Sequence, residues 1–370
     1  MDCRFHVNTS FCSLLFLFFT FFFPDVLLAQ FDFSTEESVN NASYAGGPKR
    51  GKSLNQIWRA GIIIEPGSAL KNVKLSLPVP MNWFEQQVLS VNEEKTDAEI
   101  AARIEYRIVH GGATEMMLNI GNVRANKRVE IVLSFELKNY ELLPPDNPGD
   151  YIIPKKIPKE YRQYLRESPC IESDNPKFIK MFQDITKDRQ SAWDKVEALY
   201  SFVQNNVKYD DDGWRRQALG ALAVTKMPKG QWKGDCKDMS CLFVALCRAG
   251  NIPARIIRVP EHCYAEFYLE HKPPKKTAKN EKSPKKEKEK DKNSSKTPSG
   301  FWFPCQVSGT YAFGGVPEQR VILQKGDSYL DPDNEPHGKT LWLRECFRGD
   351  MPLNSPNPKF KWIHEAEAAK

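Results

Sequence analysis

Gly234-Asp235-Cys236-Lys237-Asp238-Met239 runs directly into Leu242, Phe243, Ala245, Leu246 and Ala249, then closes on Gly250-Asn251-Ile252-Pro253-Ala254-Arg255. The apolar spacing predicts a buried helix that starts near Cys236 and ends at Gly250, a fitting C′ glycine. Residues 254–259 (Ala-Arg-Ile-Ile-Arg-Val) then read as a strand. Either Asp235 or Cys236 heads the helix, and both choices put the thiol in the first turn. There the unpaired amides and the helix dipole favour a thiolate, and the same amides can hold an oxyanion. A free cysteine is more often a small buried hydrophobe. Cys241 and Cys247, deeper in the helix, fit that description. Cys236 is set apart by the polar or flexible Gly234, Asp235, Lys237 and Asp238.

Working outward, the next strand is Glu261-His262-Cys263-Tyr264-Ala265-Glu266-Phe267-Tyr268-Leu269, which brings a histidine shortly after the turn. Gly234-Asp235-Cys236-x-Asp238, Leu242-Phe243-x-Ala245-Leu246 and Arg248-Ala249-Gly250-x-Ile252-Pro253-Ala254-Arg255, followed by His262 and Glu266, resemble the transglutaminase-like superfamily over roughly residues 181–323. The resemblance implies Cys236 as nucleophile, His262 as its base, and a third residue at the end of a Trp-x-Pro-x-Asp strand. Phe301-Trp302-Phe303-Pro304-Cys305-Gln306 fits that strand, with Gln306 where the family has Asp. An amide oxygen can still accept the imidazole N–H, with weaker support for an imidazolium. Asp331 and Asp333 are charged alternatives outside the Trp-x-Pro frame. Gln231 and Trp232 are candidates for an oxyanion donor or a pocket wall, or are plain loop residues.

The implied fold class is α+β: an N-terminal antiparallel β-sandwich-like domain, then a transglutaminase-like (papain-like) core with the cysteine helix packed on an antiparallel sheet. Residues 57–64, 73–79, 104–109, 116–120 and 129–137 are short strand-like runs separated by turn formers, which suits a sandwich over residues 55–141. Residues 142–180 connect, beginning with a Pro-rich stretch. Trp193, Val196, Leu199, Tyr200, Val203 and Val207 place one apolar stripe on a helix over residues 190–207. The core is expected over residues 181–348, interrupted by a disordered Lys-rich insertion at 271–300, with a peripheral tail at 349–370.

Residues 1–29 read as a signal peptide, with Arg4 before the Leu/Phe run of residues 11–23 and Ala29 at a cleavage point, and residues 30–54 as a linker. That run is short of the roughly 20 residues a spanning helix needs, so no stable membrane span is expected after cleavage. Export to the periplasm or outside the cell follows. The formal net charge of +6 belongs to the insertion, whose eleven lysines face four acidic residues, so the remainder is near neutral and nucleic acid is not an expected partner. Seven cysteines remain beyond the leader, an odd number that leaves at least one unpaired within the chain. Their spacing lacks zinc-site pairs; no metal or organic cofactor is expected.

Strand alternation turns Cys263 away from His262 and Cys305 away from Gln306, so the two cysteines are expected as neighbours and candidates for a disulfide. The function expected is thiol-dependent acyl transfer on a protein or peptide substrate through a Cys-His-Gln triad, with hydrolysis the first choice. Amine acceptance, which would make a cross-linking transglutaminase, and a non-catalytic binding scaffold are the alternatives.

Overall fold

The computed structural model describes residues 32–33, 47–95, 104–110, 112–211, 218–272, 300–330 and 338–368. The leader, most of the Lys-rich insertion, Asp331 and Asp333 lie outside the described residues. Six strands come first: β1 (Lys49–Glu65), β2 (Leu70–Val79), β3 (Gln86–Lys95), β4 (Ile104–Val109), β5 (Ala113–Val123) and β6 (Val129–Leu143). Helices α1 (Pro176–Thr186), α2 (Ala192–Asn206), α3 (Ala221–Lys226) and α4 (Cys236–Ala249) follow, then β7 (Ala254–Val259), β8 (His262–His271), β9 (Gly300–Gln306), β10 (Gln324–Lys325), β11 (Cys346–Asp350) and β12 (Lys359–Ala368).

One sheet has the order β12-β1-β6-β3. The other runs Ala312–Phe313, β9, β8, β7, β10, β5, β2, β11, with β4 and Tyr151–Ile152 joined to β5 and β8. Period-two alternation builds the first core: Trp58, Ala60, Ile62 and Ile64 of β1 and Ile131, Leu133, Phe135 and Leu137 of β6 meet Leu75 and Leu77 of β2 and Met116 and Leu118 of β5. The short β10 joins this sandwich to the cysteine helix's sheet, since Ile257 pairs with Lys325 and Gln324 with Ala113. The α+β class holds, and the sandwich and helical regions share this sheet.

Two segments expected as a linker and as a peripheral tail contribute strands. The polar 49–54 portion of the expected linker pairs along β6, and the expected peripheral tail contributes β12, which pairs with β1 from Gln56–Ala368 to Glu65–Lys359. Backbone hydrogen bonding, rather than apolar content, puts them there, which is why their side-chain pattern concealed it.

Helix α4 packs on one face of the sheet at β7 and β8, and α1, α2 and α3 pack on α4. That face supplies Ala254, Ile256, Cys263, Ala265, Phe267, Phe303 and Cys305, and α4 supplies Cys241, Leu242, Phe243, Ala245 and Leu246 to the same core. The stripe predicted over residues 190–207 forms α2, which buries Trp193, Val196, Leu199, Tyr200 and Val203. The opposite sheet face holds a buried ionic cluster. Arg255 and Glu266 pair at 2.8 Å, and Lys325 reaches both Glu266 and Glu85 at 2.7 Å. Burial alone would raise the Glu266 pKa, but Lys325 and then Arg255 outweigh it and hold the group low.

Candidate active site

Asp235 is the N-cap of α4, which settles the alternative left open by the sequence: Cys236 is the first helical residue. The Asp235 carboxylate accepts from the Lys237 and Asp238 amides at 2.9 and 3.2 Å, while Asp238 accepts from the Asp235 amide at 3.2 Å. This reciprocal capping satisfies first-turn donors and fixes where the helix begins. Asp238 also accepts from the Leu219 amide at 2.6 Å, which ties α4 to the segment before α3. Gly234 is needed for closeness: a Cβ there would lie 2.5 Å from that of Asp238. At the other end Gly250 has an ordinary φ of −90°, and its small size admits Phe182, whose ring would meet a Cβ at 2.1 Å. The left-handed residue is Asn251, at φ 58°. Gly250 is therefore the C-cap and serves packing, with the left-handed turn passed to an asparagine that tolerates it.

β7 and β8 form a tight hairpin in which Val259 opposes His262, with Glu261 at φ 56° in the turn. The hairpin delivers His262 to the end of the sheet beside the N-terminus of α4. The Cys236 thiol is lowered from 9.0 to about 5. A hydrogen bond from the Cys263 side chain contributes most, burial opposes it, and His262 adds a hydrogen bond and its charge. Cys263 moves the other way: burial, and then the neighbouring Cys236, push its thiol well up. The pair is thus a thiolate held by a thiol and an imidazole. Cys236 is 8% exposed and Cys263 1%, so the outer sulfur is the one reagents reach.

Sequence reasoning gave Cys263 to Cys305. The two do share a sheet face, but both are free thiols. Ala265, not Cys263, lies opposite Cys305 in the β8–β9 ladder. The cysteines are therefore a diagonal pair, farther apart than a disulfide's usual Cα separation. The Cys263 sulfur points instead to α4, where Ser240 Oγ is 3.9 Å away.

Gln306 is buried at the end of β9, one residue past Cys305 and on the His262 face of the ladder by alternation. Among the described residues, however, the buried His262 Nε2 has no hydrogen-bond partner, so the Gln306 amide does not hold the ring in this structure. Trp232 packs its ring 6.1 Å from Phe202 and donates its indole N–H to the Met227 carbonyl at 3.0 Å. That indole N–H is therefore committed to Met227. Gln231 is exposed, and its backbone amide bonds to Pro228. Sequence reasoning missed Tyr209. The parallel pairing of Lys208–Tyr209 with Lys233–Gly234 sets it opposite Gly234, two residues before Cys236. Its phenol is raised by burial and next by the charge of Cys236, although the side chain is half exposed. Among the described residues no cluster of His, Cys, Asp or Glu is arranged to hold a metal ion, and no helix is long and apolar enough to cross a membrane.

This geometry coincides with what known proteins share with the chain. A family model described as the transglutaminase-like superfamily matches residues 179–279, the span from α1 through α4 and the β7–β8 hairpin. An uncharacterized Haemophilus influenzae protein is 26% identical over 201 residues, 53% of this chain and 52% of its own length. The match thus spans about half of that relative. A crystal structure of a candidate cysteine protease from Cytophaga hutchinsonii superposes with a TM-score of 0.54 at 15% identity, covering 87% of this chain and 93% of that one. At that identity the likeness establishes the shared fold. Residues 179–279 of the chain thus match the transglutaminase-like superfamily, and the fold around them is that of a transglutaminase-like core.

Proposed function

We propose that this protein is an exported, thiol-dependent acyl-transfer enzyme that hydrolyses amide bonds in a protein or peptide substrate. The observation that carries the reading is Cys236 as the first residue of α4, with His262 delivered beside it by the β7–β8 hairpin; the neighbouring Cys263 and His262 side chains lower its thiol. A thiolate with an adjacent imidazole attacks an acyl carbon and then receives help in protonating the leaving amine. Asp235 occupies the Lys237 and Asp238 amides, so the first-turn donor left to the tetrahedral oxyanion is the amide of Cys236 itself. Water then releases the acyl group, with His262 as base. Gln306 would orient the imidazole through Nε2 once substrate tightens the site, a change common in apo enzymes. Export to the periplasm or outside the cell rests on residues 1–29 as a cleaved leader.

A second reading, a non-catalytic scaffold, draws on the unpartnered His262 Nε2. The pH profile of iodoacetamide alkylation at Cys236, in the wild type and in His262→Ala, separates the two. The enzyme reading expects alkylation to persist well below pH 7, and His262→Ala to move the profile upward. An inert thiol, or a profile indifferent to His262, would leave the scaffold. Adding a primary amine to a peptide assay then distinguishes hydrolysis from cross-linking by the mass of the product.

A further inference from the structure

We propose that Cys236 and Cys263 form a reversible disulfide on exposure to peroxide, making Cys263 the resolving thiol that protects the site from permanent oxidation. Two elements far apart in sequence create the pair. Cys236 opens α4, and Ser240 lies one turn further along that helix; Cys263 is the second residue of β8 and turns its sulfur to Ser240 Oγ at 3.9 Å. Cys236 and Ser240 are four residues apart and share one face of the helix, so the Cys263 sulfur faces the first turn of α4 on the side that carries Cys236. Its influence on the Cys236 thiol agrees with that placement, and side-chain rotation would close a bond of about 2.05 Å. The other core thiols are placed differently. Cys241 and Cys247 lie deeper in α4, past its first turn, and Cys305 lies on β9, so none of them shares the placement of Cys263 beside Ser240.

The chemistry balances with a peroxide as oxidant. The Cys236 thiolate attacks one peroxide oxygen, an S–O bond forms, the O–O bond breaks, and hydroxide leaves. Cys263 then gives up its proton, its sulfur attacks the sulfenic sulfur of Cys236, and the S–O bond breaks as water departs. Two electrons pass from the two thiols to the peroxide. Without Cys263, the sulfenic acid would meet a second peroxide and become sulfinic acid, which thiol reductants do not reverse. The inference requires Cys236 to be a thiolate but does not depend on the reaction that thiolate performs.

The test is peroxide titration of the purified protein, followed by peptide mapping without reductant and by alkylation of Cys236 before and after dithiothreitol. The expected result is a linked Cys236–Cys263 peptide lighter by about 2 Da. Alkylation should fall at least about tenfold and return fully with reductant. In Cys263→Ala, checked for folding by circular dichroism and titrated at about pH 9 where its thiolate persists, alkylation should fall equally but not return, with Cys236 heavier by about 32 Da. The wild-type map decides the question even where the variant fails to fold. Sulfinic acid at Cys236 in the wild type, or a bond to Cys241 or Cys305 instead, would overturn the inference while leaving the proposed enzyme intact. A Cys236 untouched by both peroxide and iodoacetamide would overturn both.

Discussion

The two faces of the β7–β9 sheet carry buried charge in opposite ways. On the side away from the helices, Arg255, Lys325, Glu266 and Glu85 form a closed set of two cations and two anions, with the Arg255 guanidinium 4.1 Å from the centre of the Trp302 ring. On the helix side an anion sits at Cys236 with two hydrogen-bonding neighbours and a helix N-terminus, and the partnering imidazole leaves Nε2 free. Strand β8 serves both: Cys263 turns toward α4, while Glu266 turns toward Arg255. Full pairing makes a face rigid and chemically quiet. Incomplete pairing leaves an atom that can react.

The largest effect expected from breaking this contrast is at the reactive side. Cys236→Ala should lower any acyl-transfer rate by on the order of 10⁴-fold or more, while the unfolding midpoint in urea stays near that of the wild type. A variant retaining most of its activity would show that the reaction takes place elsewhere. At the quiet face the opposite signature is expected. Glu266→Gln removes the anion shared by Arg255 and Lys325 and should cost about 3–5 kcal/mol in denaturant unfolding. A loss below about 1 kcal/mol would mean that water reaches these charges and that the face is not dry.

A finer probe is Cys263→Ala, which removes the leading hydrogen bond to the thiolate. The alkylation midpoint at Cys236 should rise from about 5 toward the ordinary 9.0, so that reactivity at pH 6 falls and reactivity at pH 9 is retained. The stability consequence has a definite sign. Because the folded thiol titrates below the unfolded one, its contribution is fully present above about pH 9 and is lost as pH falls toward about 5. Cys263→Ala should flatten that dependence, as followed by thermal unfolding across the same range. The smallest change is expected for Asp235→Ala, where loss of the N-cap should cost roughly 0.5–2 kcal/mol by denaturant unfolding. The same variant should slow Cys236 alkylation only modestly, since the helix dipole remains.

Much of this contrast was legible in the sequence, and for identifiable reasons. Helix α2 and the buried length of α4 announced themselves through apolar residues at three- and four-residue spacing, a local property. The strands around Val73 and Val129 did so through alternation. β3 and β12 did not: Asn92, Glu93 and Glu94 of β3, and His364, Glu365 and Glu367 of β12, give these strands a solvated side whose polarity masks the ladder. Lys325 and Glu85 were invisible for a stronger reason. An isolated lysine or glutamate in a sequence reads as surface, and only its partner, 240 residues away, makes its burial tolerable.

The sequence alone determined the chemical alphabet of the site: a cysteine at a helix start, a histidine behind a tight turn, and a strand ending in Gln306. These follow from short-range rules of capping, periodicity and turn formation, which need no knowledge of the rest of the chain. Tertiary structure alone decided which atoms meet. It turned Cys263 to the first turn of α4 and set Ala265 rather than Cys263 opposite Cys305, brought Tyr209 near the site, committed the Trp232 indole to Met227 and left His262 Nε2 unpartnered. The physical reason is that sulfur reactivity and proton placement depend on contacts of a few ångströms. Ladder register and helix docking set those contacts, and both are settled by packing across the whole sheet.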